Sequence, residues 1–126
     1  MLKLNVDAAI DSGKQMAGLG AINMDSNGNC VAAAVKTFHI WRDICPAEAE
    51  AMNWGLQAAK QANLSSLIVQ SDCQEVVDLV TNGTGVSRAE VYWVISNIQK
   101  WCKGFQTVQI QHTSRFCNAH AHALAN

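Results

Sequence analysis

Three acidic residues, Asp7, Glu48 and Asp72, carry the side chains best suited to metal-dependent chemistry. Asp7 lies in the first strand-like run, Glu48 in the first turn of the first helix-like run, and Asp72 directly after the fourth strand-like run. Carboxylates are the hard oxygen ligands that Mg²⁺ prefers. Carboxylates gathered in one place also repel one another, and cations relieve that repulsion. Metal chemistry therefore depends on whether the fold brings these three side chains together.

The first third of the chain has the pattern of three antiparallel strands. Apolar and polar residues alternate over residues 2–8, which indicates a half-buried strand with Asp7 on its polar side. A second run covers 17–24, and the Asp-Ser-Asn-Gly sequence at 25–28 predicts a tight turn because Asn-Gly suits positive φ angles. Residues 30–40 then return as a third strand.

The next part of the chain predicts a helix, a strand and a second helix. Pro46 suits the first turn of a helix that runs to about Ala62, because its missing N–H costs nothing there. Glu48 falls on the inward-facing apolar stripe of this helix. The run 67–69 is typical of a short buried strand, and 73–80 reads as a helix.

The last third predicts two further helices around a fifth strand. A capping box at 87–90 begins the first helix, and Gly104 ends it. Val108 and Ile110 mark the strand, and the alanine-rich run from Phe116 to Ala125 predicts the last helix. The order βββ-α-β-α-α-β-α indicates a mixed α/β fold, with a five-stranded mixed sheet, β1 at its centre and helices on both faces. We expect residues 1–126 to form a single domain.

Composition restricts the class of protein. The chain has 126 residues, 49% of them hydrophobic, and its longest apolar stretches are too short for a membrane span. Its five cysteines are odd in number and form no C-x-x-C pair, so neither a disulfide framework nor a zinc knuckle is expected. An intracellular protein of the nucleus or cytoplasm is the simpler interpretation. The net charge of −1, without any Lys/Arg cluster, predicts weak or cation-assisted binding of nucleic acid.

These motifs, taken in order, resemble the type 1 ribonuclease H family, especially the ribonuclease H-like domains of plant retroelements that encode a reverse transcriptase. The resemblance covers nearly the whole chain. The matching residues are Asn5-Val6-Asp7, Ala47 to Ala51 with Gly55-Leu56, Gln70-Ser71-Asp72, and His112 to Arg115 with Asn118 and Ala121 to Ala125.

The resemblance implies a role for each of five candidate catalytic residues. It makes Asp7, Glu48 and Asp72 ligands of Mg²⁺ or Mn²⁺. The fourth acidic position of the family is occupied here by His122, which implies reduced activity. His112 falls where a histidine in the loop before the last helix is thought to help product leave.

The resemblance also implies a substrate and partners. The family cuts the RNA strand of RNA–DNA hybrids as an endonuclease. Arg115 and Asn118 are candidate nucleic-acid contacts, and Trp54 is added because it lies off the apolar stripe of its helix and is the tryptophan most expected to be exposed. We expect a monomer that belongs to a larger polyprotein and does not bind membranes.

Other interpretations of the same residues stay open. A nucleic-acid-binding module with little or no catalysis is favoured by His122, by the absent basic patch, and by Ala8, which replaces a glycine common in the family and would keep the substrate backbone farther away. A 3′–5′ exonuclease of related fold normally has Asp-x-Glu in its first strand, which Asp7-Ala8-Ala9 lacks. Asp72 also fits the N-cap of the helix that follows it.

Overall fold

The computed structural model describes residues 2–11, 13, 16–25, 27, 29–39, 44–82 and 89–114. The predicted order of elements is confirmed over this part of the chain. The predicted last helix, Phe116 to Ala125, lies outside the described residues. The elements are β1 (Leu2–Asp11), β2 (Met16–Met24), β3 (Cys30–His39), α1 (Ile44–Gln61), β4 (Ser66–Ser71), α2 (Gln74–Asn82), α3 (Ala89–Lys103) and β5 (Thr107–His112).

The five strands form one mixed sheet in the order β3-β2-β1-β4-β5, so β1 is central as predicted. β1 pairs antiparallel with β2 and parallel with β4, and β5 pairs parallel with β4. In this arrangement the carboxyl ends of β1, β4 and β5 lie along the same edge of the sheet.

β1 is buried on both faces from Leu4 to Ala8. Leu4, Val6 and Ala8 are in the apolar core, and the intervening Asn5 and Asp7 are also buried. The prediction of a half-buried strand is therefore confirmed at Lys3, which is exposed, and wrong at Asn5 and Asp7. A central strand has neighbours on both sides and can carry buried polar residues where other polar groups meet them: Asn5 Nδ2 donates to Gln70 Oε1 over 3.2 Å.

Helix α1 packs closely against β1 and β2 because Gly55 has no side chain. A Cβ atom at Gly55 would lie 2.8 Å from Val6 Cγ1 and 3.4 Å from Leu4 Cδ2. Real Cβ atoms are essentially never as close as the first of these distances. The close contact sets the depth of α1 over the sheet, and with it the depth of Glu48.

The prediction for the start of α1 is confirmed for Pro46 and wrong for Glu48. α1 begins at Ile44, so Pro46 lies in the first turn as predicted, whereas Glu48 lies in the second turn instead of the first. Proline is tolerated at the third helical position because the first four N–H groups of a helix have no partner within it. None of the helices in the described ranges is long and apolar enough to cross a membrane.

The ends of α1 and α3 meet at the edge of the sheet opposite to the carboxyl ends of β1 and β4. Lys60, in the last turn of α1, donates a hydrogen bond to the carbonyl of Gly104 just after α3, and its ammonium lies 5.5 Å from the centre of the Phe105 ring. Gln106 N donates to the Ser65 carbonyl at 2.8 Å. Both helices therefore run in the same direction, away from the carboxyl ends of these strands.

Candidate metal centre

The register of the two central parallel strands places Asp7 beside Asp72. The paired residues of β1 and β4 run from Leu2 with Leu67 to Val6 with Ser71. Each aspartate is the residue that follows the last pair. Neighbouring strands lie ~4.8 Å apart, so the two aspartates are neighbours although 64 residues separate them in the chain.

Glu48 reaches this position because β1 is longer than its neighbour. β1 continues to Asp11, whereas no described residue beyond Ser71 pairs with it on the β4 side. Beyond Val6, the backbone of β1 on the β4 side is therefore accessible to a side chain from α1. The Ala8 N–H donates to Glu48 Oε1 over 3.3 Å, which directs this carboxylate towards the strand that carries Asp7.

A short hydrogen-bonded segment positions Asp72. The Cys73 N–H donates to Ser71 Oγ at 3.1 Å, and Thr113 N donates to the Ser71 carbonyl at 2.9 Å. α2 begins at Gln74. The backbone on both sides of Asp72 is thus tied to the end of β5 and to the start of a helix.

The three carboxylates converge as predicted. One ligand oxygen from each of Asp7, Glu48 and Asp72 can be chosen so that all three lie within 4.8 Å of one another. Asp7 is fully buried and Glu48 is 2% exposed, while Asp72 is half-buried. The cluster is therefore closed on the side of the core and accessible on the side of Asp72. The role of the three as metal ligands stays a prediction.

The electrostatics of the cluster disfavour three free negative charges. Burial, the side-chain hydrogen bond with Asp7, and the charges of Asp7 and Asp72 together raise the pKa of Glu48 to about 10. Two carboxyl groups can share a hydrogen bond only if one of them is protonated. Glu48 therefore holds a proton at neutral pH in the metal-free protein. Its Oε2 atom is buried and has no hydrogen-bond partner among the described residues.

The donor set fits a small hard cation. Each of the three side chains offers carboxylate oxygen, and Mg²⁺ and Mn²⁺ bind oxygen ligands. A divalent ion would supply positive charge that balances the carboxylates of the cluster, and its binding would displace the proton from Glu48. These residues can thus hold one or two divalent cations at the edge of the sheet.

Of the two other predicted catalytic residues, the structure describes only His112. His112 is the exposed last residue of β5, opposite Ser71 in the register, and not part of the following loop as predicted. It lies at the same edge of the sheet as Asp72. Arg115, Asn118 and His122 are outside the described residues.

The exposure of the tryptophans differs from the prediction. Trp54 is half-buried and packs against the core, whereas Trp93 is 72% exposed. The sequence contained the signal for Trp93: Val91 and Val94 lie on the apolar stripe of α3, which leaves the positions between them on the outer face. Trp54 also lies off its stripe, but neighbouring elements cover it. Its proposed contact with nucleic acid stays a prediction.

Comparison with protein families gives one match over most of the chain. The model of the family described as reverse transcriptase-like matches residues 5–126. No curated protein sequence matches the chain.

Comparison with solved structures gives the same fold several times. A ribonuclease H1 from Halobacterium salinarum NRC-1 superposes with a TM-score of 0.91 at 23% identity, over 99% of this chain and 94% of that one. The N-terminal RNase H domain of a Mycobacterium tuberculosis protein gives 0.88 at 19% identity, over 99% and 90%. LC11-RNase H1, solved in complex with an RNA/DNA hybrid, gives 0.89 at 18% identity, over 100% and 94%. Identities this low establish the fold alone.

Proposed function

The chain belongs to the reverse transcriptase-like family and has a ribonuclease H-like fold, and on that basis we propose that it is a metal-dependent endonuclease that hydrolyses the RNA strand of RNA–DNA hybrids. The proposed substrate is supported by the family and by the RNA/DNA hybrid in the structure of the similar LC11-RNase H1. We further propose that the domain acts within a larger retroelement-derived polyprotein.

One observation carries the proposal: Asp7, Glu48 and Asp72 come from three separate elements and bring carboxylate oxygens within 4.8 Å of one another. Buried like charges destabilise a fold unless they are neutralised. Apolar residues at these positions would be more stable, so the cluster is best explained by a ligand that needs it. A divalent cation is the simplest such ligand.

The proposed chemistry is in-line hydrolysis of a phosphodiester. Two bound divalent cations would activate the attacking water and stabilise the leaving oxygen. Asp7 would hold cations from within β1, Asp72 from the residue that follows β4, and Glu48, fixed by the Ala8 N–H, from α1. His112 lies at the same edge of the sheet, where it could assist release of the product.

His122 is the departure from the family pattern that bears on rate and metal preference. A neutral imidazole in place of a carboxylate removes one negative charge from the site. A nitrogen ligand suits Mn²⁺ better than Mg²⁺, which keeps to oxygen and near-octahedral geometry. We therefore propose modest activity with Mg²⁺ and higher activity with Mn²⁺.

The second candidate function is a nucleic-acid-binding module with little or no catalysis. His122 and the absence of a basic cluster favour it. Ala8 does not: its side chain is buried in the apolar core, so its methyl group is not positioned to hold the substrate away. Retention of all three carboxylates favours the nuclease, because a protein that only binds phosphates gains affinity by losing them.

The test is cleavage of an end-labelled RNA–DNA hybrid by the purified protein with Mg²⁺, with Mn²⁺ and with EDTA. Cuts in the RNA strand that require metal are expected, and duplex DNA and duplex RNA of the same sequence should stay intact. Binding of the hybrid without cleavage in either metal would overturn the nuclease proposal in favour of the binding module. Cleavage in EDTA would exclude a role for the carboxylate cluster.

A further inference from the structure

Two large aromatic side chains near the start of α3 are exposed. Tyr92 is 61% and Trp93 is 72% exposed. Their ring centres are 6.4 Å apart and the ring planes meet at 77°. Large apolar side chains at this exposure lose the free energy of burial, and they are typical of sites where a partner covers them.

The pair lies at the same end of the molecule as the metal centre. α1 and α3 both end where Lys60 meets Gly104, and both run from the carboxylate end of the sheet. At ~1.5 Å per residue, Glu48 is ~18 Å along α1 from Lys60, and Trp93 is ~15 Å along α3 from Lys103. Glu48 and Trp93 thus lie at the same height above the end where α1 and α3 finish, to within about one helical turn.

The surface that follows the rings along α3 is polar and carries a positive charge. Asn97 and Lys100 follow Trp93 at i+4 and i+7, on the same side of α3, and both are exposed. The helix contains one acidic residue, Glu90, and two lysines, Lys100 and Lys103. Such a face, with isolated rings, an amide and a cation, suits nucleic acid better than the continuous apolar patch of a protein interface.

We propose that the outer face of α3, formed by Tyr92, Trp93, Asn97 and Lys100, binds a single-stranded stretch of the polynucleotide whose cleavage site is held at the metal centre. This inference rests on the proposed function, because it assigns a second contact to the same ligand. Bases stack on the Trp93 and Tyr92 rings, and Lys100 faces a phosphate. Trp93 and Lys100 are ~10 Å apart along the helix.

Stacking carries most of this affinity. Every base has an aromatic face, so stacking is tolerant of sequence. The chain has a net charge of −1, and the proposed face contains one lysine, Lys100, with Lys103 further along the same helix. The salt dependence of binding should therefore be shallow, and the contribution of each residue can be separated by its response to salt.

The experiment measures binding of a fluorescein-labelled 12-nucleotide oligothymidylate in EDTA, where no strand is cleaved, by anisotropy and by quenching of tryptophan fluorescence. Trp93→Ala should weaken binding by about 5-fold to 150-fold, the range for loss of one stacked base, without changing the salt slope. Trp93→Phe keeps a ring and should retain most of the affinity. Lys100→Ala should reduce the salt slope by ~0.7. Val35→Ala, at another exposed apolar residue, on β3, is the control and should bind as the wild type does.

Two results would overturn the inference: Trp93→Ala binding within twofold of the wild type, or no binding of the oligonucleotide by the wild-type chain. Neither depends on catalysis. If hybrid cleavage occurs but Trp93→Ala binds normally, the α3 inference fails alone. If cleavage is absent and Trp93→Ala still loses binding, the nuclease proposal fails and the α3 face stands as part of a binding module.

Discussion

The two ends of the molecule differ in how their polar and charged groups are paired. At the end where α1 and α3 finish, backbone groups are paired and Lys60 joins the two helices through Gly104 and Phe105. At the carboxylate end, three acidic groups are held within 4.8 Å of one another. A proton on Glu48, whose pKa is raised to about 10, relieves their repulsion.

The difference indicates where the fold is optimised for stability and where for a ligand. Natural proteins commonly give up stability at functional sites and recover it elsewhere. One helix, α1, takes part in both: Glu48 lies at one end and Lys60 at the other, with the close Gly55 contact between them. Changes at the two ends should therefore separate activity from stability.

The largest expected effect is on catalysis. Asp7→Asn should lower hybrid cleavage more than ~100-fold, beyond the 10–100-fold loss typical of residues that only support a metal ligand. Its stability in EDTA should be equal to or higher than that of the wild type, because one buried charge is removed. Asp78→Asn, at an exposed carboxylate on α2, is the control and should cleave normally. A single-turnover rate of Asp7→Asn equal to that of Asp78→Asn would exclude Asp7 as a ligand.

The next largest effect is on stability and concerns Gly55, which lies in α1 between Glu48 and Lys60. Gly55→Val places side-chain atoms where Val6 Cγ1 already lies 2.8 Å from an added Cβ, and should lower the free energy of unfolding by ~1–3 kcal/mol or more. Gly104→Ala is the control, at the end of the molecule where α1 and α3 finish. A Cβ atom at Gly104 would be 3.3 Å from the Trp101 carbonyl oxygen. This substitution should change stability by less than ~1 kcal/mol. Urea unfolding of both variants makes the comparison, and equal losses would contradict it.

A pH effect should distinguish the carboxylate end. The pKa of Glu48 is about 10 in the folded metal-free protein and 4.5 as a free group, so above pH 4.5 the folded chain keeps a proton that the unfolded chain releases. Stability in EDTA should therefore fall as pH rises from about 4.5 towards 10, by at most ~1.4 kcal/mol per pH unit. Glu48→Gln should remove this slope. An unchanged slope in the variant would assign the titration to another group.

A smaller effect concerns metal preference at the same end. His122→Asp should raise the rate with Mg²⁺ several-fold and narrow the advantage of Mn²⁺, because it supplies a further oxygen ligand. Cleavage rates against metal and pH for both proteins provide the measurement. A wild-type rate that rises through about pH 6.5 would instead indicate that His122 acts as a general base. Equal rates under every condition would place His122 outside the site.

The smallest effect is expected at the opposite end. Lys60→Met removes an exposed hydrogen bond and an ammonium near the Phe105 ring. Such contacts are worth ~0.5–1 kcal/mol at exposed sites, and cleavage should not change. Loss of activity in this variant would mean that the two ends are coupled through α1.

The sequence alone determined the order of the elements and the three carboxylates. Alternation over residues 2–8, the Asp-Ser-Asn-Gly turn at 25–28 and the helical stripes are local signals, because a strand or helix shows its period within a few residues. Asp7, Glu48 and Asp72 could be chosen because each stands at a defined place in such an element. The central position of β1 was predicted together with the order of the elements, and the sheet confirms it.

Only the tertiary structure decided how these residues meet. The register of β1 with β4 places Asp7 beside Asp72, and the greater length of β1 lets Glu48 reach the Ala8 N–H. Neither follows from a local pattern, since pairing joins residues more than 60 positions apart. Trp54 shows the same limit: its position on the helix predicted exposure, but packing against the core covers it. Burial is a property of the neighbours that the fold supplies, and a single helix does not contain them.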